Sequence, residues 1–312
     1  MADPHRAAPL VPLPPVLAAM VRDGRLAHSL NIEGEPGLGR KTLAVNLAAA
    51  VLCTGPADVP CGECVPCRKT LAGVHPDVTV VDGLADPEAY KMKPLRETLS
   101  AAWLQPSEGK AKVFVLADMQ KMERDAQNIL LKIIEEPPEN TCFILTCDNR
   151  HRLLPTILSR VVTVPLRPLG REEYLRRLSA LVPGRSPDEY GETWRLTGGS
   201  PGQGAQILTD PAAAARWQEA KKAVAALARG DAYGAIAAIT PYEKNRAEYA
   251  AFLETASALA ANRALWAELG LTPALSAALG LHLRDIVRRS GENAYLPLTS
   301  ALFGGWHGLH RE

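Results

Sequence analysis

Short apolar runs rich in β-branched residues alternate with longer segments of helical periodicity through the first half of the chain. Strand and helix repeated in this way are typical of a parallel sheet covered by helices. The predicted strands are residues 29–33, 77–82, 113–117, 143–147 and 161–164. The predicted helices between them are residues 41–53, 89–103 and 125–135, and the last ends before Pro137 and Pro138 because proline cannot continue a helix.

The second half of the chain carries helical patterns alone. The segment that begins with "LRPLGREEY" (166–174) is predicted to be helical to about residue 197, where the glycine-rich "TGGSPGQG" ends it. From Pro211 onward the chain is alanine-rich and helix-periodic, as in "PAAAARWQEAKKAVAALARG". We therefore expect a separate helical domain after the sheet domain.

Composition narrows the class of protein. A chain of 312 residues with 47% hydrophobic and 22% charged residues has ordinary globular composition and room for two or three domains. Its net charge of +1 gives no general basic field for nucleic acid. No apolar run reaches the roughly 20 residues that span a bilayer, and prolines interrupt the N-terminal stretch. We expect a cytoplasmic protein with no membrane partner, whose six cysteines are thiols or metal ligands.

Four of these cysteines lie close together in "LCTGPADVPCGECVPC". Cys53, Cys61, Cys64 and Cys67 have the spacing C-x7-C-x2-C-x2-C. Two residues between cysteines allow both thiolates to reach one ion, and four sulfur ligands form the closed tetrahedral shell of a structural zinc site. Surface thiols and a thioredoxin-like redox pair are the alternatives. We expect a zinc module at residues 53–67 that stabilises an insertion and carries out no chemistry.

The stretch "GEPGLGRKT" nearly spells a phosphate-binding loop, G-x-x-x-x-G-K-[ST]. Its candidate residues are Gly34, Gly37, Gly39, Arg40, Lys41 and Thr42. The glycines keep the backbone permissive, but Arg40 stands in the place of the lysine, and Lys41 in the place of the hydroxyl that binds magnesium. Thr42 comes one position late. The loop shape is therefore expected to survive without its chemistry.

A second part of a nucleotide site is also incomplete. The strand "KVFVLADM" ends in Asp118, which could face magnesium, but Met119 stands where related ATPases carry a water-activating glutamate. Three interpretations remain open: a working ATPase with shifted residues, a plain glycine turn, or a phosphate-loop scaffold without hydrolysis. We favour the scaffold, with doubtful ATP binding by this chain.

The most specific stretch is "DAQNILLKIIEEPPENTCFILTCDNRHRLLPTILSRVVTVPL" (125–166). It resembles the AAA+ subunits of the bacterial DNA polymerase III clamp loader, as do "RLAHSLNIEGEPGLGRKT" and the inserted cysteine module. The resemblance implies an α/β AAA+ domain with a RecA-like parallel sheet and an inserted zinc module over residues 1–165. It further implies a small helical lid over residues 166–207 and an all-α collar for oligomerisation over residues 208–312.

The resemblance also implies a role for the S-R pair, Ser159 and Arg160. In this family the arginine acts as a finger that reaches across a subunit boundary to ATP held by a neighbour, where it offsets charge on the γ-phosphoryl group. The implied partners are the tau/gamma ATPase subunits and the delta subunit, with the sliding clamp and primed DNA contacted through the assembly. From spacing alone, Arg160 is also explained as a surface residue that caps a helix. The family's sensor residue falls near Cys147 and Asp148.

Three functions therefore compete. The favoured one is a non-hydrolysing, stator-type clamp-loader subunit that lends Arg160 to a neighbour. The second is an active clamp-loader ATPase of the tau/gamma type. The third is a zinc-dependent DNA-binding module, although Arg68 and Lys69 are the first basic residues after the cysteine cluster begins.

Overall fold

The computed structural model describes residues 8–55, 59–242 and 245–290. The chain divides into two compact units between Arg167 and Pro168, and each is described by itself. The predicted sheet domain ends at 165, close to this division. The predicted separation of a lid from a collar within the second unit stays a prediction.

The first unit contains a five-stranded sheet in which every recorded pairing is parallel. Its strands are β1 (Ser29–Glu33), β2 (Val78–Asp82), β3 (Lys112–Ala117), β4 (Thr141–Cys147) and β5 (Val162–Pro165). They lie in the order β2-β3-β4-β1-β5. The prediction of a parallel sheet from five short apolar runs is confirmed. This architecture fits the AAA+, RecA-like class.

Helices cover both faces of the sheet. They are α1 (Pro15–Arg22), α2 (Arg40–Leu52), α3 (Val65–Leu71), α4 (Met92–Ser100), α5 (Arg124–Glu135) and the short α6 (Pro155–Leu158). Alternate residues of β3 point to opposite faces. Val113 and Val115 join the cluster that includes α1 and α2, whereas Phe114 and Leu116 join the cluster that includes α4 and α5.

The predicted continuous helix over residues 89–103 is wrong. The chain forms a 3-10 turn at Pro87–Tyr90, then α4, then a second 3-10 turn at Ala101–Trp103. Lys91 between the first two is extended, with φ −66° and ψ 154°. Pro94 in the first turn of α4 accounts for the break, because it has no N–H to donate to the Tyr90 carbonyl oxygen. Tyr90 is buried, and its hydroxyl donates to the carbonyl oxygen of Ala117 at 2.5 Å.

The second unit is helical throughout its described residues. Its helices are α7 (Arg171–Leu181), α8 (Pro187–Thr197), α9 (Pro201–Thr209), α10 (Pro211–Ala228), α11 (Ala232–Ile239), α12 (Arg246–Ala261), α13 (Trp266–Leu269) and α14 (Pro273–Ser290). The core of α10–α14 is built around Trp217, Phe252, Leu259 and Leu279. Part of the predicted collar, residues 291–312, lies outside the described residues.

The single helical segment predicted over residues 166–197 is two helices. A capping box starts α8, because the Ser186 side chain accepts from the backbone N–H of Glu189 while the Glu189 side chain accepts from that of Ser186. The glycine-rich stretch after α8 does not simply end the helical region either, since α9 begins in it at Pro201. The predicted boundary between 207 and 208 falls inside α9.

A close contact explains one glycine inside α9. A Cβ atom on Gly204 would lie 2.0 Å from the Tyr174 hydroxyl oxygen and 3.2 Å from a Leu178 methyl group. Tyr174 and Leu178 are completely buried. Gly204 therefore lets α9 approach α7 more closely than any larger residue would.

Two polar links join α8 to the segment after α12. The Asn262 side-chain amide donates to the carbonyl oxygens of Arg195 and Leu196, at 2.7 and 3.1 Å. These carbonyls lie in the last turn of α8, where the helix itself offers no donors. Glu268 pairs with both Arg195 and Lys221, and the hydrogen bond from Lys221 is the main reason that the pKa of Glu268 is lowered.

Membrane insertion finds no support in the helices. Within residues 8–55, 59–242 and 245–290, no helix combines the length and the apolar character needed to cross a bilayer.

Gly204→Ala should destabilise the second unit by about 1–3 kcal/mol, because the added methyl group overpacks a fully buried contact. Gly191→Ala in α8 is the matched control, since its Cβ would meet only the Arg171 guanidinium at 3.7 Å. That change should stabilise α8 by up to about 1 kcal/mol through helix propensity. Urea unfolding followed by circular dichroism measures both, and equal effects of the two substitutions would contradict the contact.

Candidate functional site

The phosphate-loop stretch follows β1 at the carboxyl edge of the sheet, defined as the edge where the strands end. Gly37 and Gly39 have φ of 81° and 86°, and Gly39 immediately precedes α2. Left-handed backbone of this kind favours glycine. Gly34 is needed for a different reason, because a Cβ there would lie 2.9 Å from the Cβ of Leu166. The loop thus keeps its shape through backbone requirements that involve no phosphate.

Arg40 lies inside this loop and is 9% exposed. Its Nη2 atom is 2.5 Å from Oδ1 of Asp118, and its Nη1 atom donates to the carbonyl oxygen of Gly34. Arg40 and Asp118 occupy the positions that a working site gives to the phosphate-binding lysine and the carboxylate facing magnesium. Here the two groups form an ion pair, so a carboxylate of the protein compensates the positive charge of Arg40.

Lys41 and Thr42 contact other parts of the protein. Lys41 extends to Asp82 at the end of β2, with 2.7 Å between Nζ and Oδ2. Burial tends to raise the pKa of Asp82, but the hydrogen bond from Lys41 and those from the N–H groups of Leu84 and Ala85 outweigh it and lower the pKa. Thr42 lies in the first turn of α2, where its carbonyl oxygen accepts from the Asn46 side chain at 2.8 Å.

Asp118 is held by a residue that the sequence did not single out. The Thr146 hydroxyl accepts from the backbone N–H of Asp118 at 2.9 Å, and Gln120 donates to its carboxylate at the same distance. The resemblance places the family's sensor residue near Cys147 and Asp148, directly after Thr146. Asp118 has φ 58°, a left-handed conformation that Asp tolerates. Met119 is completely buried in the core and faces no site.

The four predicted zinc ligands converge. Cys53 follows α2, and Cys67 lies in α3, so the cluster joins the end of one helix to the start of the next. All four Sγ atoms lie within 4.8 Å of one another. The pairs Cys53–Cys64 and Cys61–Cys67 are 3.9 and 4.0 Å apart, close to the ~3.8 Å that a tetrahedron with Zn–S bonds of about 2.3 Å requires.

The surroundings of the cluster also suit a metal ion. Backbone N–H groups of Gly55 and Cys64 donate to the sulfurs of Cys53 and Cys61, each at 3.4 Å, as is common around bound thiolates. Burial raises the pKa of Cys67 and of Cys53, whereas at Cys64 burial is outweighed by backbone donors that include the Thr54 N–H, and the pKa is lowered to about 6. A divalent cation would stabilise all four thiolates together. These residues could hold a metal ion, and a four-sulfur shell suits structural zinc.

The other cysteines are buried within β4. Cys142 and Cys147 lie in the strand, and burial raises the pKa of their thiols to about 12 and about 11. These two cysteines therefore pack as small hydrophobic residues of the sheet.

Ser159 and Arg160 lie at the opposite, amino edge of the sheet, where the strands begin. They connect α6 to β5. The Arg160 side chain is 38% exposed, its Nη1 atom donates to the Thr156 carbonyl oxygen and the Ser159 hydroxyl at 3.0 Å each, and its Nη2 atom lies 2.8 Å from Oε1 of Glu135. The capping expected from spacing alone is therefore present. Whether this arginine acts on a neighbour stays a prediction.

The backbone that carries Arg160 is firmly docked. The side chain of Gln127 in α5 donates to the carbonyl oxygen of Arg152 at 3.4 Å and accepts from the N–H of Leu154 at 2.9 Å. Leu153 and Ile157 are buried in the core. The Arg160 guanidinium therefore lies at the surface, on a segment whose backbone is held by contacts with the protein interior.

Asp118→Asn should lower the free energy of unfolding by about 3–5 kcal/mol, because it leaves the Arg40 guanidinium buried without its anion. Lys41→Ala is the comparison, since the Lys41 side chain is 36% exposed and its pair with Asp82 should be worth below about 1 kcal/mol. Urea titration of each variant gives the difference. An Asp118→Asn variant as stable as the parent would show that the pair does not hold the loop.

Purified chain should contain one zinc ion bound by the four cysteines, and Cys61→Ser should remove most of it, because a three-sulfur site loses the closed shell. Cys142→Ala, which changes a buried cysteine away from the cluster, should keep the metal. Elemental analysis of each purified protein measures the ratio. Unchanged zinc in Cys61→Ser, or none in the parent, would contradict the assignment.

Comparison with known proteins places this chain among replication proteins. Residues 13–170 match the family model described as DNA polymerase III, delta subunit. DNA polymerase III subunit delta' of Pseudomonas aeruginosa is 34% identical over 176 residues, which cover 56% of this chain and 54% of that protein. The Escherichia coli delta' subunit is 32% identical over 228 residues, 72% of this chain and 67% of that protein.

A related subunit type also matches. The tau subunit of E. coli DNA polymerase III is 31% identical over 160 residues, which cover 51% of this chain. The aligned part spans about half the length of the P. aeruginosa protein and 24% of tau. The chain therefore belongs to the family of bacterial DNA polymerase III clamp-loader subunits that includes delta-prime.

Proposed function

We propose that this chain is the non-hydrolysing, stator-type subunit of the DNA polymerase III clamp loader, which supplies Arg160 in trans to the ATP site of a neighbouring subunit. Its direct partners are the tau/gamma ATPase subunits and the delta subunit. Through the assembly it helps to load the sliding clamp onto primed DNA. The cysteine module holds structural zinc, and α10–α14 form the oligomerisation collar.

The position of Arg160 carries this proposal. The phosphate-loop stretch lies at the carboxyl edge, and Arg160 lies at the amino edge of the same sheet. The five residues of β1 alone separate the two edges by roughly 16 Å. Arg160 is therefore too far from its own loop to act on a nucleotide there, whereas a nucleotide on a neighbouring subunit can approach it from outside.

The guanidinium suits the chemistry of that site. Charge in phosphoryl transfer is spread over the three equatorial oxygens of the γ-phosphoryl group. A planar guanidinium offers parallel donors to such oxygens and stays charged at every physiological pH. Because its backbone is docked through Gln127 and Ile157, little conformational entropy is lost when the donors engage.

The contacts at the carboxyl edge support the proposal that the pocket of this chain does not hydrolyse ATP. Arg40 is paired with Asp118 and cannot reach phosphate without leaving that carboxylate buried and uncompensated. Lys41 is directed at Asp82, and no hydroxyl stands in the magnesium position. Hydrolysis in this proposal therefore takes place on the partner subunit.

Two alternatives make different demands. An active tau/gamma-type ATPase would hydrolyse ATP as an isolated chain with magnesium, and replacing Arg40 and Lys41 by Ala would abolish that activity. A zinc-dependent DNA-binding module needs a cluster of free positive charges beside the cysteines, but Lys69 is paired with Glu108 at 2.5 Å, which leaves the exposed Arg68 as the neighbouring cation. We therefore favour the trans-acting subunit.

Arg160→Ala should lower ATP turnover at the adjoining site of the assembled clamp loader by about 10³-fold or more, as loss of an arginine finger does elsewhere. The measurement is clamp- and DNA-stimulated hydrolysis by the reconstituted complex, after size-exclusion chromatography has verified full assembly. The isolated chain should hydrolyse no ATP.

Arg152→Ala provides the matched control. Arg152 is exposed and, like Arg160, lies in the connection between β4 and β5, but it precedes α6 and lies at the carboxyl edge. It should leave turnover unchanged. If the Arg160→Ala complex assembles fully and retains normal turnover, the trans-acting role is ruled out.

A further inference from the structure

A shallow concavity at the amino edge surrounds the head of Arg160. It is lined by His28, Ile134, Glu135, Glu136 and Arg160. The guanidinium is already half engaged, because both donors of Nη1 are directed at its own turn, to the Thr156 carbonyl oxygen and the Ser159 hydroxyl. An incoming phosphate must therefore use the side of the guanidinium that includes Nη2. That is the side where Glu135 stands, 2.8 Å away.

Helix stability does not explain the location of Glu135. It is the last residue of α5, where the helix dipole is negative and a carboxylate is unfavourable. The buried residues Leu130 and Ile134 anchor this end of α5 in the core, so the carboxylate is held at the surface next to Arg160. The feature that offsets the misplaced negative charge is the guanidinium itself.

The fold fixes both partners of this pair. Glu135 is set by α5, and Arg160 is set by the segment that Gln127, also in α5, ties down. The pair is nevertheless weak, because the two side chains are 40% and 38% exposed and solvent screens their attraction. A phosphate, with more charge and several acceptor oxygens, is the stronger partner for the same donors.

We propose that Glu135 is an anionic placeholder for the γ-phosphate: it occupies the free side of Arg160 until a neighbour's nucleotide displaces it. The inference rests on the proposed trans-acting role of Arg160 and adds its regulation. While no nucleotide is engaged, the ion pair with Glu135 keeps the Arg160 guanidinium in place. Closure of the subunits must break this pair, which adds to its free-energy cost. Removing the charge of Glu135 therefore lowers the cost of closure and leaves the N–H donors of Arg160 in place.

The test is Glu135→Gln in the fully assembled clamp loader with ATP as the probe. Without clamp or DNA, ATP turnover should rise about two- to fivefold, the factor that an exposed ion pair supports. The concentration of ATP that gives half-maximal turnover should fall by a similar factor. Glu139→Gln is the matched control, because Glu139 is an exposed carboxylate that follows α5 but does not line the concavity. It should leave both quantities unchanged.

The double variant Glu135→Gln with Arg160→Ala identifies the route. Its turnover should equal that of Arg160→Ala alone. The placeholder is overturned if Glu135→Gln lowers or does not alter unstimulated turnover, if Glu139→Gln has the same effect, or if the rise persists without Arg160. An Arg160→Ala variant with full turnover would instead overturn the proposed function and the placeholder together, so the two failures are distinguishable.

Discussion

Parallel pairing gives this sheet two unlike edges, and the rest of the first unit depends on that difference. Every segment that follows a strand collects at the carboxyl edge, which brings the loop after β1, Asp82, Asp118 and Thr146 together. Every segment that precedes a strand collects at the amino edge, where the end of α5 meets Arg160. The ladder fixes this arrangement, since β1 pairs with β4 on one side and with β5 on the other. The two edges can therefore serve different molecules.

At the carboxyl edge, contacts within the protein account for the shape of the phosphate-loop stretch. Arg40 has a planar head with several donors, so one side chain satisfies both Asp118 and the Gly34 carbonyl oxygen, which a single ammonium group would do less well. The glycines remain necessary because the backbone is left-handed at Gly37 and Gly39. Shape and chemistry are thus independent here, and the shape is maintained by contacts within the protein.

Sequence pattern anticipated what depends on local order. Apolar runs located all five strands to within a few residues, and the spacing of the four cysteines was sufficient to group them. The helix at 201–209 was missed because Gly202 and Gly204 were interpreted as punctuation. Gly204 is in fact required by Tyr174, a buried side chain thirty residues earlier, and no local pattern records that contact. The break at Lys91 has a local cause instead, because Pro94 has no N–H to donate to the Tyr90 carbonyl oxygen and so excludes a helix that continues from Tyr90 into α4.

The candidate sites show the same limit. Arg40 was predicted to be an altered part of a nucleotide site and Asp118 a residue that could face magnesium, but their ion pair joins residues 78 positions apart. Thr146 was overlooked because the expected polar residue was sought one position later. The sequence pattern assigns no role to Glu135, and only the packing of α5 beside α6 gives it a partner. The sequence thus contains these polar side chains in plain view, but their partners depend on the topology of the fold.

The link between α8 and the segment after α12 has a mechanical consequence. Asn262 donates hydrogen bonds to two carbonyl oxygens at the end of α8, and Glu268 forms an ion pair with Arg195 in the same turn. A twist of α8 about its own axis would strain both attachments at once, so α8 and the helices around α12 should turn together. A force applied to α8 is then transmitted directly to the helices around α12.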